Sequence, residues 1–279
     1  LVRYHVQRAL HLAVTGRPGP VWVELPVDVQ ATPVDPDDEP HYDTRADDEA
    51  QRGTADITNC VEEIMALIEA SSRPVLYVGS GIRLAGVDRE LDELIARLRI
   101  PVVTCLNAHD LVDADTPQLV GRPGTIGDRA GNFAVQNADL VVVLGTRLPI
   151  RQVGYNWETW APHAHVVMVD IDAAELAKPS LHVETPVHAD LAQLLPALLR
   201  RVPASWQPSA AQLDWLRWCR ERRERYPVVL PQYRKATTPV NPYVAIEAVF
   251  KALPGDGIAV SGDGWAGVGS AQASVLHSG

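Results

Sequence analysis

Four short clusters in this sequence carry groups suited to a phosphorylated ligand: Gly79-Ser80-Gly81, Gly145-Thr146-Arg147 with Arg151 behind it, Asp170-Ile171-Asp172, and Ser261-Gly262-Asp263-Gly264. A glycine-rich turn after a strand lets backbone N–H groups approach phosphate oxygens, and an acidic residue at the end of a later strand accepts hydrogen bonds from ribose hydroxyls. The chemistry expected first is therefore the binding of a nucleotide-type cofactor. Each cluster also has a plainer reading. Gly79-Ser80-Gly81 is equally consistent with a tight connection, because a lone GxG is a weak signal. Arg147 and Arg151 suit either pairing with a diphosphate or a solvated loop. Alternation at a strand end sends both aspartates to one face and Ile171 to the other; Asp170 is the better ribose ligand, and Asp172 is the expected N-cap of Ala173-Ala174-Glu175. Asp263 is read as no metal ligand, since Mg²⁺ needs further oxygen ligands that the sequence up to Gly279 does not supply. The glycines beside it still allow the backbone of the following helix to approach a phosphate.

The elements that must position these groups follow from periodicity. Residues 74 to 78 form an apolar strand ending at Gly79, and further buried strands are expected over residues 101 to 106, 140 to 144 and 166 to 171. Helical spacing marks Val61, Ile64, Met65 and Ile68, then Val87, Leu91, Leu94, Ile95 and Leu98, and a third helix around residues 191 to 199. Near-continuous Val, Leu and Ile runs separated by helices imply an α/β fold with a doubly wound parallel sheet covered on both faces. The flanks are shorter. Residues 4 to 15 form a helix stopped by Gly16 and followed by a strand over residues 21 to 25, while residues 242 to 253 form a helix leading into a strand over residues 257 to 260. Each flank is too small to be a domain alone. Between them and the centre, residues 29 to 53 are rich in Asp, Glu, Pro and Thr and form a linker, and residues 206 to 226 form an Arg-rich helix with Leu213, Leu216 and Trp218 as anchors. Trp215 and Trp218 in that helix are expected to be a docking surface rather than a stacking platform.

Bulk composition narrows the partners. The chain has 279 residues, 46% of them hydrophobic, and a formal net charge of −10, which disfavours nucleic acid and anionic membrane surfaces. Three scattered cysteines give neither a disulfide framework nor a zinc site, and a reducing cytoplasm fits them. No apolar run reaches the length of a membrane span. Starting at Leu1, the chain is expected to begin mid-protein.

Three blocks then match one family in order. Thr15-Gly16-Arg17-Pro18-Gly19-Pro20-Val21 with Glu24-Leu25-Pro26-Val27-Asp28-Val29 resembles the end of the pyrimidine-binding domain of thiamine-diphosphate enzymes of the acetolactate (acetohydroxyacid) synthase type. Asn132 to Leu140, Gly145-Thr146-Arg147 and Asp170-Ile171-Asp172 resemble that family's Rossmann-like middle domain, and Asp263-Gly264 with Ala271-Gln272 resembles the opening of its diphosphate-binding domain. The resemblance implies five segments: residues 1–30, 31–55 as linker, 56–203 as the central FAD or nucleotide domain, 204–238 as connecting helix and linker, and 239–279.

What the resemblance implies for function is an enzyme that decarboxylates a 2-keto acid such as pyruvate and passes the acyl-anion equivalent to a second carbonyl. Its cofactors would be thiamine diphosphate, Mg²⁺ with ligands outside this chain, and a largely structural FAD; the parent would be a homodimer or homotetramer. Carried over by position, the FAD contacts would be Arg17, Gly79, Ser80, Gly81, Cys105, Leu106, Arg122, Pro123, Gly145, Thr146, Arg147, Arg151, Asp170, Ile171 and Asp190. Gly264, Trp265 and Ala266 would lie near the phosphates of thiamine diphosphate. No catalytic residue is assigned within the chain, since the family's activating glutamate and metal motif have no counterpart in it. Trp265-Ala266 stands where many synthases have Gln-His, and Pro149-Ile150 where they have an acidic pair, which leaves the acceptor substrate open. The competing reading is a non-catalytic module binding FAD, NAD or ADP, and a plainer one still is an inactive remnant.

Overall fold

The computed structural model describes residues 1–35, 37–50, 53, 55–235 and 238–276; parts of the expected linkers and the last three residues lie outside these. Its centre is a six-stranded, all-parallel sheet in the order β3-β2-β1-β4-β5-β6, made of β1 (Pro74–Val78), β2 (Val102–Thr104), β3 (Leu119–Gly121), β4 (Leu140–Leu144), β5 (His165–Asp170) and β6 (Thr185–His188). β1 and β4 are buried along their whole length and run in register from Pro74 opposite Leu140 to Val78 opposite Leu144. That burial on both faces is why their sequences are unbroken Val, Leu and Ile runs rather than alternating ones. The outer strands β3 and β6 are short and are broken by Gly121 and Pro186, and the pairing of β3 with β2 is irregular. Sequence patterning had not marked either.

The helices used below are α1 (Val2–Val14), α2 (Ile57–Ala70), α3 (Asp88–Leu98), α4 (Arg129–Asn137), α5 (Leu191–Arg201), α6 (Ala210–Arg225), α7 (Pro242–Ala252) and α8 (Trp265–Ala273). The β1-to-β2 and β3-to-β4 connections travel in opposite directions along the sheet, so right-handed crossovers put α3 and α4 on opposite faces. α5 packs against α2 and α3, while α6 packs against α4. Each covering helix has local reasons to form. Asp56 accepts from Thr58 N and Asn59 N at the start of α2, and α6 opens with a reciprocal capping box between Ser209 and Gln212.

α6 joins the central core instead of merely connecting to it. Trp215, Leu216 and Cys219 are buried, Trp215 donates through Nε1 to Pro74 O at 3.1 Å, and Trp218 stacks on Trp215 with centroids 5.0 Å apart. Of the expected anchors Leu216 is buried and Trp218 is partly buried against the core, but Leu213 faces solvent.

Two expected strands are not formed. Residues 21–25 and 257–260 are extended but have no ladder partner among the described residues, and Trp22, Ile258 and Val260 are almost fully exposed. A strand exists only through its hydrogen-bonded neighbour, so apolar patterning alone does not produce one. The acidic linker is more ordered than its composition suggests, because its carboxylates find cations on α1. Arg8 forks onto Asp47 at 2.7 and 3.0 Å, Tyr42 donates to the same carboxylate, and His11 meets Asp48 at 2.7 Å.

A close backbone contact joins the turns after β1 and β4. Gly145 has φ +68°, and a Cβ built there would lie 2.8 Å from Gly81 Cα and 2.9 Å from Ile82 N. Gly145→Ala is expected to lower the unfolding free energy by about 2–5 kcal/mol, combining left-handed strain with overpacking against backbone, as measured by urea denaturation. A change below about 0.5 kcal/mol would contradict the geometry.

Candidate functional site

The sheet order reverses between β1 and β4, since the chain leaves β1 toward β2 on one side and β4 toward β5 on the other. In open α/β sheets the crevice beyond the C-terminal ends of such strands is where ligands bind. A cleft of about 430 Å³ occupies that place, with walls from the turns after β1, β2, β4, β5 and β6. Its rim is completed by Gly16, Arg17 and Pro18 from the N-terminal flank. The glycines answer first to packing. Gly81 N donates to Gly145 O at 2.8 Å, and a Cβ on Gly79 would lie 2.5 Å from both Gly145 O and Thr146 Cβ. Three glycines thus let two turns touch, and the cleft opens above that contact.

Charge in the cleft is unevenly distributed. Asp170, at the end of β5, is only 9% exposed. Burial pushes its carboxyl above the ordinary aspartate range; the hydrogen bond from Asp172 N to Oδ1, at 2.9 Å, and the Arg17 charge offset this in part. Asp172 caps the turn after β5 through Ala174 N at 2.9 Å, as expected, and also accepts from Arg17 Nη1 at 3.2 Å. Glu175 receives Arg17, Arg147 and Lys178. Burial alone would raise its carboxyl, but those three cations outweigh burial and hold it below the ordinary value. At the floor, Thr146 Oγ1 donates to Gln152 Oε1 at 2.8 Å, and Asn107 bridges Cys105 Sγ and Ser80 Oγ.

Most of the residues named from sequence meet here. Ser80 and Gly81, Leu106, Gly145 to Arg147, Arg151, Asp170, Ile171 and Asp190 all line the cleft with Arg17. Gly79 supports the first turn from beneath it. Cys105 is buried below the surface, where burial raises its thiol pKa.

Five positions lie elsewhere. Arg122 points away from the cleft, its guanidinium donating to Ala271 O at 3.1 Å, Ser274 O at 3.2 Å and His109 O at 3.3 Å, so it caps the end of α8. Pro123 packs beside Gly127 and Gly131 at the start of α4. Gly264, Trp265 and Ala266 lie on the exposed surface at the start of α8. Long-range packing sets the position of the Arg122 guanidinium, which reaches a carbonyl 149 residues along the chain. Sequence reasoning missed Lys178, Asn107 and the role of Glu175. The spacing Asp172, Glu175, Lys178 on one turn was the available signal.

Comparison with known proteins decides the family. The family described as thiamine pyrophosphate enzyme, central domain, matches residues 61–198, which hold all six strands and the cleft apart from its rim at Gly16, Arg17 and Pro18. The chain belongs to the thiamine pyrophosphate enzymes. It is 31% identical over 272 residues to the acetolactate synthase isozyme 1 large subunit of Escherichia coli, covering 96% of this chain and 45% of that protein. To the isozyme 2 large subunit of the same organism it is 36% identical over 219 residues, covering 78% and 37%. The large subunit of Corynebacterium glutamicum acetolactate synthase is 32% identical over 261 residues, covering 92% and 40%. The chain spans less than half the length of these relatives.

The donor set in the cleft fits a dinucleotide such as FAD. Asp170 keeps acceptor capacity for ribose hydroxyls, Arg17, Arg147 and Arg151 suit a diphosphate, and Leu84, Leu106 and Pro149 supply apolar wall. Thiamine diphosphate finds no comparable enclosure around Gly264 to Ala266. Among the described residues, no group of three or more His, Cys, Asp or Glu is gathered to hold a metal ion, and no helix is long and apolar enough to cross a membrane.

Asp170 provides a test of the site. Its pKa is raised in the folded state, so its contribution to stability falls as pH rises from the ordinary aspartate value through the folded one, and the cost persists at neutral pH. Asp170→Asn keeps an acceptor for Asp172 N and removes the buried charge. The variant should melt at or above the wild-type temperature at neutral pH, and the difference should disappear below the ordinary aspartate range. A variant melting well below wild type at neutral pH would show that the carboxylate stabilises the fold.

Proposed function

We propose that this chain supplies the central, nucleotide-holding part of a thiamine-diphosphate-dependent enzyme of the acetolactate synthase kind. The parent reaction is decarboxylation of a 2-keto acid, pyruvate first among them, with transfer of the acyl-anion equivalent to a second carbonyl. Supporting this are the central-domain match and the relatives' names. The observation that carries the cleft's part is the juxtaposition, at the switch point of the sheet, of a buried ribose-type acceptor, Asp170, with three arginines.

In this reading the cleft beyond the ends of β1, β4 and β5 would hold FAD. Asp170 accepts from its ribose hydroxyls, and Arg147 and Arg151, together with the backbone N–H groups of the β4 turn, hold its diphosphate. When bound, FAD supplies a flavin ring, which the family resemblance implies is structural rather than redox. The chain's own residues bind and orient; none is assigned to bond making. Mg²⁺ and the diphosphate of thiamine diphosphate are held by other parts of the parent, which assembles as a dimer or tetramer.

FAD titration of the purified protein, followed by flavin fluorescence, tests this reading. Saturable one-to-one binding is expected, weakened about tenfold or more by Arg147→Ala with Arg151→Ala. No saturable binding of FAD or ADP would remove the nucleotide role. The catalytic part is checked on the enzyme containing this chain, by CO₂ release from pyruvate with thiamine diphosphate and Mg²⁺; no release from pyruvate or other 2-keto acids would sink it.

A further inference from the structure

The turn after β5 holds a charge cluster to which the nucleotide reading gives no task. Glu175 Oε1 accepts from Nη1 of Arg17 and from Nη1 of Arg147, each at 3.4 Å, while Oε2 lies 3.3 Å from Lys178 Nζ. Lys178 also donates to the carbonyls of Arg147 and Leu148. The Glu175 and Lys178 side chains are 15% and 17% exposed, so the carboxylate is fixed from behind and has little room to swing. The arginine side chains are 44% and 55% exposed at the mouth of the cleft. Each uses only Nη1 toward the carboxylates, Arg17 sharing it with Asp172. Their Nε and Nη2 donors are left for something else.

A guanidinium on a long, half-exposed side chain is a poor anion clamp unless another group holds it in place, because its rotamer entropy opposes binding. Resting on the nucleotide reading above, we infer that Glu175 is a positioning residue. Locked by Lys178, it aims Arg17 of the N-terminal flank and Arg147 of the β4 turn as two prongs onto one ligand diphosphate. A bound nucleotide diphosphate then bridges the flank to the central domain through Arg17.

Simple Coulomb reasoning predicts the opposite sign, which makes the inference testable. If Glu175 only repelled a phosphate, neutralising it would tighten binding. Calorimetric titrations with ADP and with adenosine separate the two. Glu175→Gln should weaken ADP about fivefold to tenfold and leave adenosine unchanged, since adenosine has no diphosphate. In a background carrying Arg17→Gln and Arg147→Gln, the same substitution should have no further effect on ADP. Lys178→Met, which frees Glu175 without removing its charge, should also weaken ADP and serves if Glu175→Gln does not fold. Unchanged or tighter ADP binding by Glu175→Gln, equal losses for ADP and adenosine, or full additivity with the arginine changes would overturn the inference. Failure of the wild-type protein to bind either compound would instead overturn the nucleotide reading beneath it.

Discussion

The site depends on one contact, the seating of the turn after β1 on the turn after β4. Those strands are neighbours in the sheet, but the chain departs from them in opposite directions, so the space above their ends is left uncovered by either connection. The turns approach until Gly81 N bonds to Gly145 O, at a separation where no Cβ fits on Gly79, Gly81 or Gly145. The glycines are therefore required by the protein before any ligand arrives. The letters GxG alone do not separate this packing requirement from a phosphate-binding turn.

The same distinction between local and distant causes explains what could be read in advance. β1, β4 and β5 were legible because parallel strands buried on both faces must be apolar throughout, as in Leu140 to Leu144. β3 and β6 were not, since three or four residues containing Gly121 or Pro186 leave no pattern to detect. In the site, the glycine turns and the aspartate pair were legible because strand ends and alternation fix them locally. The partners of Arg122 were not legible because they are carbonyls at the far end of the chain, nor was the pairing of Glu175 with Arg17, 158 residues away. The unformed strands at residues 21–25 and 257–260 failed for a related reason: their sequences specify extended, apolar backbone, but a ladder is a property of two segments.

The N-terminal flank meets the centre through charge pairs at Arg17. α1 contributes no buried residue, and Leu10 and Val14 on it face solvent. This segment meets the acidic stretch that follows through Arg8 on Asp47, His11 on Asp48 and the rings of Tyr4 and His11 against Tyr42, and it meets the centre through Arg17 on Asp172 and Glu175. Exposed pairs of this kind contribute little individually and weaken with salt. The C-terminal flank is attached differently, with Arg122 capping α8 from within the core and Gln272 donating to Ile126 O at 2.6 Å. An interaction with a buried member is screened less, so the two flanks should respond unequally to ionic strength.

Asp170 shows how such a cleft bears on stability. A carboxylate in apolar surroundings raises the free energy of the folded chain unless its lone pairs are filled, and here one backbone N–H from Asp172 fills part of that capacity. A neutral residue would suit the empty fold better. In the proposed nucleotide complex, hydroxyl donors would fill the remaining acceptor capacity of this carboxylate with charge-assisted hydrogen bonds. In the proposed nucleotide complex the exposed arginines would meet the diphosphate while the buried acid would meet the sugar, so burial of the one and exposure of the others would be complementary.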